Sequence, residues 1–418
     1  MLIDIAVHTS FCNSSRWRDL LTRARLLPAL LALALLLPGL AWLAAPAFAA
    51  TSKVTICHSP PGNPDNAQTI TVGVRAAAAH LAHGDIAVPC EDDEVDCSTF
   101  DPFSIAVLPD TQNYVRDARP DILVLDLFTR QTEWIAANRE DWNFKFVLHE
   151  GDVVQSFSNP LQWARARKAM DLLHGLIPFA ISPGNHDGAS QKVELAEFNA
   201  AFPLKAFRHL PSFGGAFEHK KMDNTYHYFR GGGVKWLVLA LEFGPRDEVL
   251  DWANDVVADQ ADRQVIIVTH AYLYSDGRHH GALSSHRWNP HRYPVAAQRT
   301  VNDGAEMWEK LVRKHANIAF VFNGHVLNKG QATRIDVGDQ GNQVYQRLSN
   351  FQNRTLGGAS WLNIYEFFPR ENVMETSDYS PYYNSWKRVT NAELTVFDPE
   401  YIESVCPIEA STTEALQK

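Results

Sequence analysis

Asp110, Gly151-Asp152, Gly184-Asn185-His186-Asp187, His270 and Gly324-His325 each close a short apolar run, and together they hold this chain's best candidates for chemistry. Carboxylate, amide oxygen and imidazole are the donors that hold divalent cations such as Mn, Mg and Zn. Two such ions about 3.5–4 Å apart acidify a bridging water and clamp the oxygens of a phosphate ester, which is what in-line hydrolysis needs. Asp152 is the natural carboxylate for both ions to share. His186, a protonatable imidazole, suits a proton donor to the leaving oxygen, and Asp187 could orient that ring or support its charge. Singly, each residue has an ordinary use: Asp caps helices and turns, Gly and Asn form turns, and a lone His is commonly a satisfied core side chain. Their conjunction points to a site.

The elements that must position them are five strand-like runs, 104–110, 145–152, 178–187, 264–270 and 318–325. In α/β sheets, polar residues just past the carboxyl ends of buried strands line the ligand crevice. Helical patterns alternate with these runs from Phe103 onward, which predicts parallel or mixed sheets with crossover helices. Asn159-Pro160 is a helix-start signal leading into 161–173. Val249, Leu250, Ala253, Val256 and Val257 make one helical face; Met307, Trp308, Leu311 and Val312 make another. Trp134, Trp163, Trp252 and Trp308 fall in helical patterns as core candidates. Beyond Gly330, short strands are expected at 343–348, 361–368 and 373–377.

In this order the clusters resemble the calcineurin-like metallophosphoesterases, whose blocks are Asp-x-His, Gly-Asp, Gly-Asn-His-Asp/Glu, a lone His after a strand, and Gly-His-x-His. The resemblance covers about residues 102–385. It implies an α/β fold, the two-sheet αββα sandwich, and hydrolysis of a phosphomonoester or phosphodiester by a metal-bridging hydroxide. It also implies two divalent metal ions, of the Mn, Zn, Fe, Mg or Ca class. One would be held by Asp152, Asn185, His270 and His325, the other by Asp110 and Asp152 with Gln112. Two positions depart from the pattern: Gln112 stands where the family has His, and Leu327 where the last block has its second His. An amide oxygen is a weaker and harder ligand than imidazole, so the first site should favour Mn, Mg or Ca. Gln155 is a second possible oxygen donor. Pro109-Asp110-Thr111-Gln112 is similar to the opening of a bacterial, often exported, subgroup. The same departures leave a different class open, a single-metal protein of this fold that holds a phosphorylated ligand without cleaving it.

Around this domain, expected over residues 99–400, the sequence changes character. Residues 1–49 read as a signal peptide, with an Arg-containing start, an apolar stretch over 26–45 and the small-residue site Ala47-Phe48-Ala49. Export to a periplasmic or extracellular compartment follows, with no membrane span after cleavage; an uncleaved anchor is the alternative. Residues 50–98 form a small Cys/His-containing module ending in the acidic linker Glu91-Asp92-Asp93-Glu94, and 401–418 a C-terminal tail. Four cysteines remain after Ala49, and the favoured of three possible pairings is Cys57–Cys90 with Cys97–Cys406, because domain termini commonly lie close together. Cys57, His58, His80, His83 and Cys90 also have the residue types for zinc, an alternative to a disulfide with incidental histidines. A formal charge of −10 gives no broad nucleic-acid surface, so the expected partner is a small-molecule phosphoester. The stretch holding His279, His280, His286 and His291 with Arg278, Arg287 and Arg292 is either a phosphate-gating loop or a solvated polar insertion.

Overall fold

The computed structural model describes residues 53–59, 68–85, 95–281 and 286–407. The expected signal segment, Cys90 and the acidic stretch 91–94 lie outside them. Fifteen strands are present among the described residues: β1 (Lys53–His58), β2 (Gln68–Gly73), β3 (Phe103–Leu108), β4 (Phe144–His149), β5 (Phe179–Ile181), β6 (Phe213–Ala216), β7 (Thr225–Gly231), β8 (Val234–Ala240), β9 (Gln264–Val268), β10 (Ile318–Asn323), β11 (Gln331–Val337), β12 (Gln343–Ser349), β13 (Leu362–Phe368), β14 (Val373–Ser380) and β15 (Ser385–Glu393).

From β3 onward the strands make two sheets, one in the order β15-β14-β13-β3-β4-β5, the other β11-β12-β10-β9-β8-β7-β6. Within the first, β3, β4 and β5 run parallel, with Val107 beside Leu148 and Leu148 beside Ala180. Within the second, β8, β9 and β10 run parallel, with Val238 beside Ile266 and Ile267 beside Val321. Each of these central strands is apolar on both faces, as a sheet covered on both sides requires. In β3, Ile105 and Val107 enter the core between the sheets while Ala106 and Leu108 face the helices.

The resulting layers are helix, sheet, sheet, helix. Between the sheets lies an aromatic core in which Phe103 stacks on Phe367 (ring centroids 4.8 Å apart) and Phe229 on Trp236 (5.5 Å). Fully burying one such side chain contributes about 1.5–3 kcal/mol, and this packing fixes the separation of the two rows of strand ends. Helices Leu127–Ala137, Pro160–Asp171 and Ala196–Ala201 cover the outer face of the first sheet. Helices Asp247–Asp259 and Gly304–Lys310 cover that of the second. The expected start at Asn159 is present: its side chain accepts from the Leu161 amide, and Pro160 opens the helix.

The boundary expected at residue 400 falls inside helix Pro399–Val405. Ile402 packs with Phe100, and Cys406 is disulfide-bonded to Cys97, so the last described residues are packed structure and not tail. Cys57 is also disulfide-bonded; Cys90, its expected partner, lies outside the described residues. Among the described residues no helix is long and apolar enough to cross a membrane.

Candidate metal centre

Asp110, Asp152 and Asn185 follow β3, β4 and β5, and His270 and His325 follow β9 and β10. The two sheets therefore present these residues from adjoining edges. His270 lies at the middle of them. Its Nδ1 donates to the Glu150 carbonyl oxygen at 2.7 Å, while its Nε2 lies 3.0 Å from Asn185 Oδ1, 3.2 Å from Asp152 Oδ1 and 3.9 Å from Asp110 Oδ1. His325 Nε2 donates to the Trp288 carbonyl oxygen at 2.7 Å, which leaves Nδ1 with its lone pair. Asp152, His270 and His325 each offer a ligand atom, all within 4.8 Å of one another. Imidazoles whose outer nitrogens are tied to carbonyls are fixed in the tautomer that ligates.

The loops that carry these side chains are held under strain and at close quarters. Asp152 and His325 have left-handed backbones, with φ of 51° and 70°, uncommon for residues with a side chain and concentrated at functional sites. A Cβ on Gly324 would lie 2.5 Å from Asp110 Oδ2, and one on Gly151 2.7 Å from His270 Nδ1. Asp110 uses its carboxylate to accept the His325 amide, with oxygens at 3.1 and 3.2 Å, and so links the two sheets' loops. Gly151 donates to His149 Nδ1, so His149 Nε2 carries the proton and donates to Thr111 Oγ1, joining the first two loops.

The charges are strongly coupled. Burial disfavours a charge on His270, yet the carboxylates of Asp152 and Asp110 hold its pKa up to about 9. Burial also works against ionised Asp152, but His270 and His186 hold its carboxyl well below the usual range. Burial, reinforced by Asp152 and opposed by His270, pushes Asp110 well above it. Burial and the neighbouring His270 push His325 far down, so His325 is a neutral imidazole. Without its extra proton, His270 Nε2 would set a lone pair against two oxygens; a cation resolves that arrangement. The donor set, two imidazoles, a carboxylate and an amide oxygen, fits a divalent ion.

The remaining expected site residues are placed as follows. His186 donates its backbone amide to Asp152 Oδ1 at 2.8 Å, and its Nδ1 lies 2.9 Å from the Gln155 carbonyl oxygen and 3.0 Å from the Gln155 side-chain nitrogen. Asp187 does not orient that ring. Its oxygens accept from the amides of Gly184 (2.8 Å), Val154 (3.0 Å) and Val153 (3.1 Å), because the turn folds its side chain back toward the Gly151-Asp152 loop. Burial and the Asp152 charge raise its pKa to about 7 against those amides. Gln155 contacts His186 through its side-chain nitrogen, a contact that does not use the amide oxygen considered as a metal donor. Gln112 is buried, and its Oε1 has no hydrogen-bond partner among the described residues, the condition of an oxygen suited to a cation.

Glu150 was not singled out in the sequence. It is fully buried, neither carboxylate oxygen has a partner among the described residues, and burial together with Asp110 pushes its pKa well up. The histidine-rich loop combines buried histidines with the exposed arginines Arg278, Arg287 and Arg292. His280 and His286 are buried, His286 stacks on Tyr274 with centroids 4.1 Å apart, and His279 contacts Gln346 at 2.6 Å. The loop's contribution to the centre is the Trp288 carbonyl.

A family model described as calcineurin-like phosphoesterase matches residues 103–329. An uncharacterized protein, YvnB of Bacillus subtilis (strain 168), is 27% identical over 287 residues, covering 68% of this chain and 20% of that protein. The chain thus spans a fifth of the length of that curated relative. Among solved structures, purple acid phosphatase PPD1 from yellow lupin (Lupinus luteus) seeds aligns with a TM-score of 0.44 at 12% identity, over 84% of this chain and 61% of that one. GAP50, the anchor in the inner membrane complex of Plasmodium, aligns at 0.36 and 12% identity, over 73% and 93%. TT1561 of Thermus thermophilus aligns at 0.36 and 13% identity, over 69% and 99%.

Proposed function

The chain belongs to the calcineurin-like phosphoesterase family, and from that premise we propose that it hydrolyses a small-molecule phosphomonoester or phosphodiester at the ends of β3, β4, β5, β9 and β10. The observation that carries the proposal is His270, whose Nδ1 is committed to a carbonyl while Nε2 faces Asp152 and Asn185. Asp152, Asn185, His270 and His325 would hold one divalent ion, and Asp110, Asp152 and Gln112 a second. Two divalent ions would supply positive charge for the phosphoryl oxygens and a water made acidic enough to attack at neutral pH.

The chain's own groups do the rest. Gln155 engages His186 Nδ1, which leaves Nε2 as the nitrogen that can pass a proton to the leaving oxygen. Asp187 ties the loop bearing His186 to the loop bearing Asp152 through three backbone amides, so it acts as a positioning residue. The apolar N-terminal segment and the Cys97–Cys406 disulfide support an exported protein working in an oxidising compartment.

One observation favours a single-metal alternative: Asp152, His270 and His325 form the compact group, whereas Asp110 already accepts the His325 amide and has no imidazole of its own. Metal counting alongside turnover separates the two. Hydrolysis of an aryl phosphate or a bis-aryl phosphate with Mn or Zn, lost in Asp152→Asn, is the expected result. No hydrolysis of either compound, with metal content unaltered by Asp152→Asn, would overturn the proposal.

A further inference from the structure

The small N-terminal module contains a second convergence of donor atoms that shares no residue with the centre described above. β1 ends on His58, helix Val74–Ala82 carries His80 in its last turn, His83 follows as the cap, and Asp85 lies two residues on. Asp85 Oδ2 is 2.8 Å from His58 Nδ1, 2.8 Å from His80 Nδ1 and 2.9 Å from His83 Nε2. The three rings surround it in T-shaped pairs, with centroids 5.1, 5.2 and 5.7 Å apart. The Asp85 side chain is fully buried, and its other oxygen accepts the Ser59 amide at 3.0 Å. Four ligand atoms, three nitrogens and one oxygen, thus lie within 4.8 Å of one another.

Donor geometry and module size both disfavour the alternative, a surface hydrogen-bond hub. A carboxylate oxygen has two lone pairs, so three ring nitrogens at hydrogen-bond distance from one oxygen atom exceed what donation alone satisfies. An ion about 2.0–2.1 Å from each donor sets tetrahedral donors roughly 3.3 Å apart, and the three oxygen-to-nitrogen distances reach that by lengthening about half an ångström. The module is also small. A two-stranded ribbon is marginal in water, and modules this small lean on disulfides and metals to supplement a small core. Among the module residues whose burial is described, Ile56, Cys57 and Ala77 are buried besides Asp85.

We infer that His58, His80, His83 and Asp85 form a four-coordinate structural site for a zinc-like transition-metal dication. All four positions are filled by protein, so the site staples the module and takes no substrate. The Ser59 amide fixes the carboxylate, as outer-shell groups do in metal sites. Cys57 is consumed by its disulfide, and Asp85 supplies the anion that the cysteines were expected to give.

The test uses the full chain. Zinc per chain is counted after equilibration and dialysis, in the parent and in the His80→Ala/His83→Ala double variant. The expected result is loss of one equivalent with aryl phosphate turnover unchanged. Cobalt-loaded parent should show the intense visible absorption of a tetrahedral ion, absent from the double variant. Limited proteolysis covers a misfolded variant: chelation should expose residues 53–85 of the parent to cleavage, and added zinc should restore protection. An unchanged metal count and cobalt spectrum in the double variant would overturn the inference, as would proteolysis indifferent to chelator and zinc.

Discussion

His270 is the residue at which a proton and a metal ion compete. In the metal-free chain its pKa is raised from 6.5 to about 9, so the imidazolium contributes stability that is complete below 6.5 and is lost as pH rises through about 9. Metal binding must expel that proton. The apparent affinity for Mn or Zn should therefore climb by about tenfold per pH unit across the neutral range and level off above about 9. Calorimetric titrations at several pH values check this, and an affinity flat with pH would contradict the competition. His186→Ala should lower turnover by about 10²–10⁴-fold with metal content unchanged. Gln155→Ala should cause a smaller loss, in kcat more than KM. Sequence identified His186 but paired it with Asp187, because adjacency says nothing about which way a side chain turns. A signal was present: Asp187 stands three residues after Gly184, the spacing of a helix-capping interaction.

At the level of elements, the site depends on loops that fit only small or strained residues. Gly324→Ala should push Asp110 aside, weaken metal binding and cost about 1–3 kcal/mol of stability, read by thermal unfolding with and without metal. Unaltered metal affinity in that variant would show that the close approach is not needed. The five strands bearing the site were readable from apolar runs that stop abruptly at polar clusters, and the 161–173 helix from its start signal. The β7–β8 hairpin was not identified, although Gly232-Gly233 between two strand-like runs is a turn signal of the kind that joins antiparallel pairs. β15 was missed too: its Lys387, Arg388 and Asn391 give a polar edge strand with little apolar alternation to detect.

For the whole molecule, the Cys97–Cys406 disulfide joins the start of the domain to its last helix across 309 residues of sequence. Cys97→Ser should destabilise the protein by about 2–5 kcal/mol, measured by denaturant unfolding, while leaving metal content intact. This pairing was readable from the closeness of domain ends. The role of Asp85 was not, since one Asp two residues after a His carries no periodic signal and its partners converge only once the module folds. Whether five loops from two sheets meet around one cation site is measured directly by anomalous diffraction from crystals grown with Mn. A manganese peak within coordination distance of Asp152, Asn185, His270 and His325 is the predicted result. Ordered side chains in these positions with no anomalous peak among them, at a manganese concentration that supports turnover, would contradict it.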